Sequence, residues 1–199
     1  MRHIIQIAGV RDQQEADLLV ASGVAWLGFP LRLAVHREDL SEAEAAPIIK
    51  SLRPPHAGVL ITYLKQADEI VAFCQKLGAR KVQLHGEITP EQLQAVKMLD
   101  PDLFVIKSLI VRDNNQRELE AEVHSLSPSV DAFITDTYDA ETGACGATGK
   151  MHDWRVSRRL VQLSPRPVML AGGLRPENVA RAIREVRPAA VSGRGSWEV

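Results

Sequence analysis

Asp136 closes the run DAFITD (Asp131 to Asp136), a hydrophobic stretch that ends in a carboxylate. A carboxyl group placed there, with its pKa raised by burial, can act as a general acid. The simpler reading is a cap on the following turn. In LAGGLRPENV, Gly172 and Gly173 precede a helix start at Pro176. Adjacent glycines let backbone N–H groups approach a phosphate, and a helix N-terminus adds a favourable dipole, though any tight strand-to-helix turn can use such a pair. His85, in KVQLHGE, suits hydrogen bonding to a substrate or acid–base work, and equally a satisfied structural role. Lys107, in VIKS, suits a Schiff base or a carboxylate contact, against a plain ion pair with an acid of a neighbouring strand. The glycine-rich segment after Asp136 reads as a lid or as an ordinary loop. Its Cys145 would react only beside positive charge. Cys74 shares a helix face with Ile70, Val71 and Leu77 and belongs to the core. The six histidines show no metal-ligand spacing, so no metal is expected.

The elements that must position these residues follow from the pattern. The chain has 199 residues, 45% of them hydrophobic and 25% charged, which suits one globular domain over residues 1–199. Lys plus Arg number 24 against 25 acids, so the broad positive field of a non-specific nucleic-acid binder is missing. No run reaches the roughly 18 apolar residues of a membrane span. Two cysteines make no disulfide framework, and a cytoplasmic setting is expected.

Short β-branched runs alternate with amphipathic ones. Strands are predicted at His3–Ala8, Ala25–Phe29, Gly58–Thr62, Lys81–His85, Leu103–Lys107, Asp131–Asp136, Pro167–Ala171 and Pro188–Val191. Seven helices lie between them, the second opened by Ser41 with Glu44 as its capping-box partner. Continuous apolar runs such as VMLA suit strands buried on both faces of a parallel sheet. Eight repeats favour a closed (β/α)₈ barrel of the TIM type, whose active site lies at the C-terminal ends of the strands. The residues to watch are therefore Ala8 and Gly9, Phe29 to Arg32, Thr62 and Tyr63, His85, Lys107, Asp136, Gly172 and Gly173, and Ser192 and Gly193. Only SGRGSWEV follows the last strand, too short for an eighth helix. Apolar surface on the eighth strand and on the first and seventh helices is expected to be exposed there, with a possible homodimer as its cover.

Five stretches fix a resemblance: VQLHGE (Val82 to Glu87), VIKS (Val105 to Ser108), the Asp136 strand with GATGKMHDW (Gly146 to Trp154), LAGGLRPENVARAI (Leu170 to Ile183) and VRPAAV (Val186 to Val191). In this order and spacing they resemble the phosphoribosylanthranilate isomerases, (β/α)₈ enzymes of the tryptophan pathway. The resemblance implies a small phosphorylated sugar substrate and a cofactor-free Amadori rearrangement of an N-(5'-phosphoribosyl) aminobenzoate. A general acid opens the furanose to a Schiff base, and a general base then removes the C2' proton. By resemblance Asp136 matches the acid, with His85 and Lys107 as further catalytic candidates. Gly172 and Gly173 match half of the phosphate clamp, and Gly193 stands in for its other glycine. Arg32 or Arg37 would meet the substrate carboxylate, with Tyr63 beside them.

The chain departs from the family at the base. The family opens Lys-Ile-Cys-Gly, with the Cys as base; here the segment is Gln6-Ile7-Ala8-Gly9. A methyl group accepts no proton. On the sequence alone, three readings stand: an isomerase whose base has moved to Cys145 or His85, a barrel enzyme acting on a different phosphosugar, or a phosphoribosyl-binding protein without turnover. If the base is merely missing, the wild-type chain isomerises phosphoribosylanthranilate poorly. Ala8→Cys then raises the rate by roughly 10²-fold or more, read in a direct turnover assay.

Overall fold

The computed structural model describes residues 4–33, 38–138 and 151–194. Eight parallel strands close into one barrel in chain order: β1 (Ile4–Ala8), β2 (Trp26–Pro30), β3 (Ala57–Thr62), β4 (Lys81–Leu84), β5 (Phe104–Val111), β6 (Ala132–Thr137), β7 (Val168–Leu170) and β8 (Ala190–Arg194). Closure comes from β8 pairing with β1 over Ile4↔Ala190 to Ala8↔Arg194. The connecting helices are α1 (Gln13–Ala21), α2 (Glu42–Ser51), α3 (Ala67–Leu77), α4 (Pro90–Leu99), α5 (Gln116–Leu126), α6 (Trp154–Leu163) and α7 (Pro176–Val186). The predicted starts hold. Ser41 and Glu44 form the reciprocal capping box of α2, Thr89 caps α4 ahead of Pro90, and Gly78 ends α3 in the left-handed conformation.

Two strands run three or more residues past their predicted ends. β5 runs on to Val111, because Ser108 to Val111 pair with Ile134 to Thr137 of β6. β8 starts at Ala190 and extends through Gly193 to Arg194, held by β1. Lys107 and Ser108 interrupt the apolar run of β5, and the β8 extension, Ser192 to Arg194, has no apolar run; ladder pairing carries both.

Side chains alternate across each strand, so the barrel has two cores. The outer one packs strand faces against helices and includes Leu27, Leu60, Leu84, Leu109 and Phe133. The inner one fills the lumen with Trp26, Val59, Ile61, Ile106, Ala132, Ile134 and Met169. Ile5 on β1 and Leu18 on α1 are exposed, whereas Val191 on β8, where the sequence predicts exposed apolar surface, is buried.

Gly28 lies in the inner layer, where a Cβ would stand 2.8 Å from Ile61 Cδ1 and 3.0 Å from Ala8 Cα. Gly28→Ala is therefore an overpacking change in a rigid lumen. It is expected to cost about 1–3 kcal/mol in urea unfolding. An unchanged midpoint would show that this layer yields freely.

Candidate active site

A chain of buried polar side chains crosses the lumen beneath the strand ends. Gln6 of β1 donates from Nε2 to Gln83 Oε1 at 2.9 Å and to Ser192 Oγ of β8 at 3.2 Å. Gln83 Nε2 reaches Ser108 Oγ of β5 at 3.3 Å, and that hydroxyl lies 3.0 Å from His85 Nδ1. Strands β1, β4 and β5 are not all neighbours, so these contacts fix which face of each strand looks inward. A period of two then places Ala8, one step above Gln6, at the mouth. The ring of Tyr63 meets His85 edge-on, with centroids 5.1 Å apart. The structure thus brings His85 and Tyr63 together near the end of β4.

Asp136 shares the inward parity of Ala132 and Ile134 and is buried. Its Oδ1 accepts from the backbone N–H of Thr137 at 2.8 Å. Burial pushes its pKa up to about 6, against the smaller downward pull of that amide. It is protonated below that pH and ionised above it.

The turn after β7 is built around glycine. Gly172 and Gly173 take φ +89° and +61°, in the left-handed region, and a Cβ on Gly172 would run into the Thr137 hydroxyl. Thr137 Oγ1 is in turn 2.9 Å from His152 Nδ1, and His152 Nε2 is 2.6 Å from Ser157 Oγ. Burial lowers the His152 pKa to about 4, so the ring stays neutral and serves as a strut under the turn. Asn178 of α7 donates to Gly173 O at 2.9 Å and fixes the turn against the helix start.

Gly193 lies within β8 rather than in a loop beyond it. Alternate residues of a parallel strand address the same neighbour, and Ala189 N donates to Val168 O on the β7 side. Gly193 N follows the same alternation. It points to the side where β7 has already given way to Gly172 and Gly173.

Two predicted site residues have partners on the covering helices. Lys107 has outward parity, one residue from inward Ser108. Its ammonium lies 3.4 Å from Glu122 of α5 and donates to the Ser108 carbonyl. The lysine pairs with a covering helix, and β5 continues four residues past it. Arg32 is likewise turned away. Its Nε donates to Glu42 Oε1 at 2.9 Å, and its guanidinium lies 3.8 Å over the Phe73 ring of α3. That site holds the Glu42 carboxyl below the usual range, through hydrogen bonds from Arg32 and Lys76. Arg37 and Cys145 lie outside the described residues. Among the described residues no cluster of His, Cys, Asp and Glu has the arrangement of a metal site.

The sequence reading missed Asp39 and Arg194. Arg194 is level with Ala8 in the ladder, and its Nη2 lies 3.4 Å from Asp39 Oδ1. Asp39 comes from the segment joining β2 to α2, and its Oδ2 is buried with no hydrogen-bond donor. No motif marks either residue; only the closure of β8 onto β1 brings them together.

With this geometry in place, comparison with known proteins is specific. The sequence profile of the N-(5'-phosphoribosyl)anthranilate isomerase family matches residues 5–193. The chain is 34% identical over 191 residues to N-(5'-phosphoribosyl)anthranilate isomerase 2 of Methanosarcina mazei, spanning 94% of this chain and 82% of the relative. It is 32% identical to the Methanothrix thermoacetophila isomerase, over 94% and 85%. Among solved structures, phosphoribosylanthranilate isomerase of Thermotoga maritima superposes with a TM-score of 0.81 at 27% identity, covering 99% of this chain and 90% of that one. A phosphoribosylanthranilate isomerase bound to reduced 1-(o-carboxyphenylamino)-1-deoxyribulose 5-phosphate superposes at 0.79, with 26% identity and 99% and 89% coverage.

Burying Asp136 has a stability signature. Its folded pKa of about 6 lies above the ordinary 3.8, so the folded state holds the proton more tightly. Wild-type stability therefore falls as pH rises from about 4 through 6, by on the order of 3 kcal/mol for a shift of this size. Asp136→Asn keeps the acceptor for Thr137 N and has no charge to bury. Its stability gain over wild type in urea unfolding should be small at pH 4 and reach a plateau above pH 6. A gain that does not vary with pH would contradict the burial argument.

Proposed function

The chain belongs to the phosphoribosylanthranilate isomerase family, and from that premise we propose that it works as a single barrel domain catalysing the Amadori rearrangement of N-(5'-phosphoribosyl)anthranilate. The observation that carries this reading is a carboxyl group buried at the C-terminal end of β6. Asp136 donates its proton to the furanose ring oxygen. The C1'–O bond breaks, and the nitrogen lone pair forms the C1'=N bond of the Schiff base. Loss of the C2' proton then gives the enolamine, which becomes the 1-deoxyribulose ketone. A buried carboxyl suits the first step because burial keeps it protonated to higher pH, so that it still holds the proton it donates.

The 5'-phosphate sits at the Gly172-Gly173 turn. Support comes from the positive φ of both glycines, the start of α7 behind them and the amide of Gly193 directed the same way. His85, positioned by Ser108 and Tyr63, contributes a hydrogen bond at the mouth. Among the described residues no helix is long and apolar enough to cross a membrane.

Turnover of phosphoribosylanthranilate, followed by loss of the anthranilate fluorescence, tests the reading. Wild type is expected to turn over, and Asp136→Asn to lose about 10²–10⁴-fold in kcat. The wild-type kcat/KM should fall as pH rises through about 6, as the acid loses its proton. Tight binding of the reduced product analogue without turnover would instead make this a phosphoribosyl-binding protein. Gly172→Ala is expected to raise KM at least ten-fold by moving the amides of the turn; an unchanged KM would locate the phosphate elsewhere.

A further inference from the structure

The end of β1 has a methyl group where the reaction needs a proton acceptor, and a carboxylate lies beside it. Asp39 Oδ2 packs against Gly9, the residue after Ala8, where an ideal Cβ on Gly9 would stand only 3.1 Å from that oxygen. Gly9 holds φ +85°, and its missing side chain is what leaves room for the carboxylate. The two oxygens of Asp39 differ. Oδ1 faces Arg194 Nη2 at 3.4 Å, while Oδ2 is buried without a donor. A carboxylate oxygen shut away from water and given no hydrogen bond is costly, and such orphans in a folded protein call for an explanation. Arg194 pairs with Ala8 in the β1–β8 ladder, so the ion pair anchors Asp39 directly over the Ala8 end of the strand.

Position in the ring adds to this. β1 and β6 are three strands apart around a closed ring of eight, so the end of β1, beside which Asp39 lies, is separated from Asp136 by β7 and β8. The rearrangement needs that division, with an acid on the ring-oxygen side and a base on the C2' side.

Building on the isomerase reading above, we propose that Asp39 is the general base that replaces the one lost at Ala8. Its Oδ2 forms a bond to the C2' proton. The C2'–H electron pair becomes the C1'=C2' double bond, and the C1'=N pair returns to nitrogen. The enolamine then takes a proton at C1' as its C2' hydroxyl gives one up, leaving the ketone. No oxidant or co-reactant is required.

The experiment compares wild type, Asp39→Asn, Ala8→Cys and the double variant, on phosphoribosylanthranilate and on the same substrate deuterated at C2'. Asp39→Asn keeps an oxygen for Arg194 but has no base. Its kcat is expected to fall about 10²–10⁴-fold. Deuteration at C2' should then slow it more than it slows wild type, because proton removal has become the slow step. Affinity for the reduced product analogue should stay within a few-fold, which also reports that the variant is folded. Ala8→Cys should restore at least ten-fold in the Asp39→Asn background and give a smaller gain in wild type. A purely structural role for Asp39 would not be rescued by a thiol on a different strand. Undiminished turnover by Asp39→Asn, or an equal gain from Ala8→Cys in both backgrounds, overturns the assignment of Asp39 alone. Wild type that binds the analogue but never turns over substrate overturns the isomerase reading itself.

Discussion

Everything at the mouth of this barrel depends on the five-residue pairing of β8 with β1. In a parallel sheet closed on itself, each strand's register is fixed by both neighbours, and a slip of one residue would turn its inward side chains outward. Closing β8 onto β1 sets Ser192 beside Gln6 and Arg194 beside Ala8. The polar chain from Ser192 through Gln6 and Gln83 to Ser108 and His85 exists only in this register. It puts hydrogen-bonding groups in a lumen otherwise filled by Ile, Val, Met and Trp, and it ties distant strands together directly under the site.

The site is assembled from groups placed against their own preference. Asp136 is buried where its charged form is disfavoured, and one oxygen of Asp39 is buried with no donor. His152 is held neutral among hydroxyls under the glycine turn. Each is a local cost borne by the hydrophobic layers on either side of the strands. Where such a cost has no packing benefit, a chemical use is the physical explanation to examine first.

Asp136 and Asp39 place one residue type in two different environments. Asp136 lies in a strand whose inner neighbours are Ala132 and Ile134, so desolvation dominates and favours the protonated acid. Asp39 lies against a guanidinium, with its second oxygen directed at the end of β1. In the proposed reaction the environment of each carboxyl sets its task.

The sequence by itself determined the alternation of strands and helices, the helix caps and the closed parallel architecture. These follow from periodicity, capping residues and apolar runs, which are local and written along the chain. It also marked Asp136, Gly172, Gly173 and His85, because each stands at a strand end where the fold exposes function. It could not assign Lys107 or Arg32. One residue of parity decides whether a strand side chain enters the lumen or meets a helix, and β5 continues past the apolar run that suggested its end. Arg32 found Glu42 and Phe73 on neighbouring helices, partners that no spacing announces. Nor could it see Asp39 and Arg194 as a pair, since 155 residues separate them. Only ring closure, which brings the last strand beside the first, decided that Arg194 and its carboxylate partner would lie next to the Ala8 end of β1.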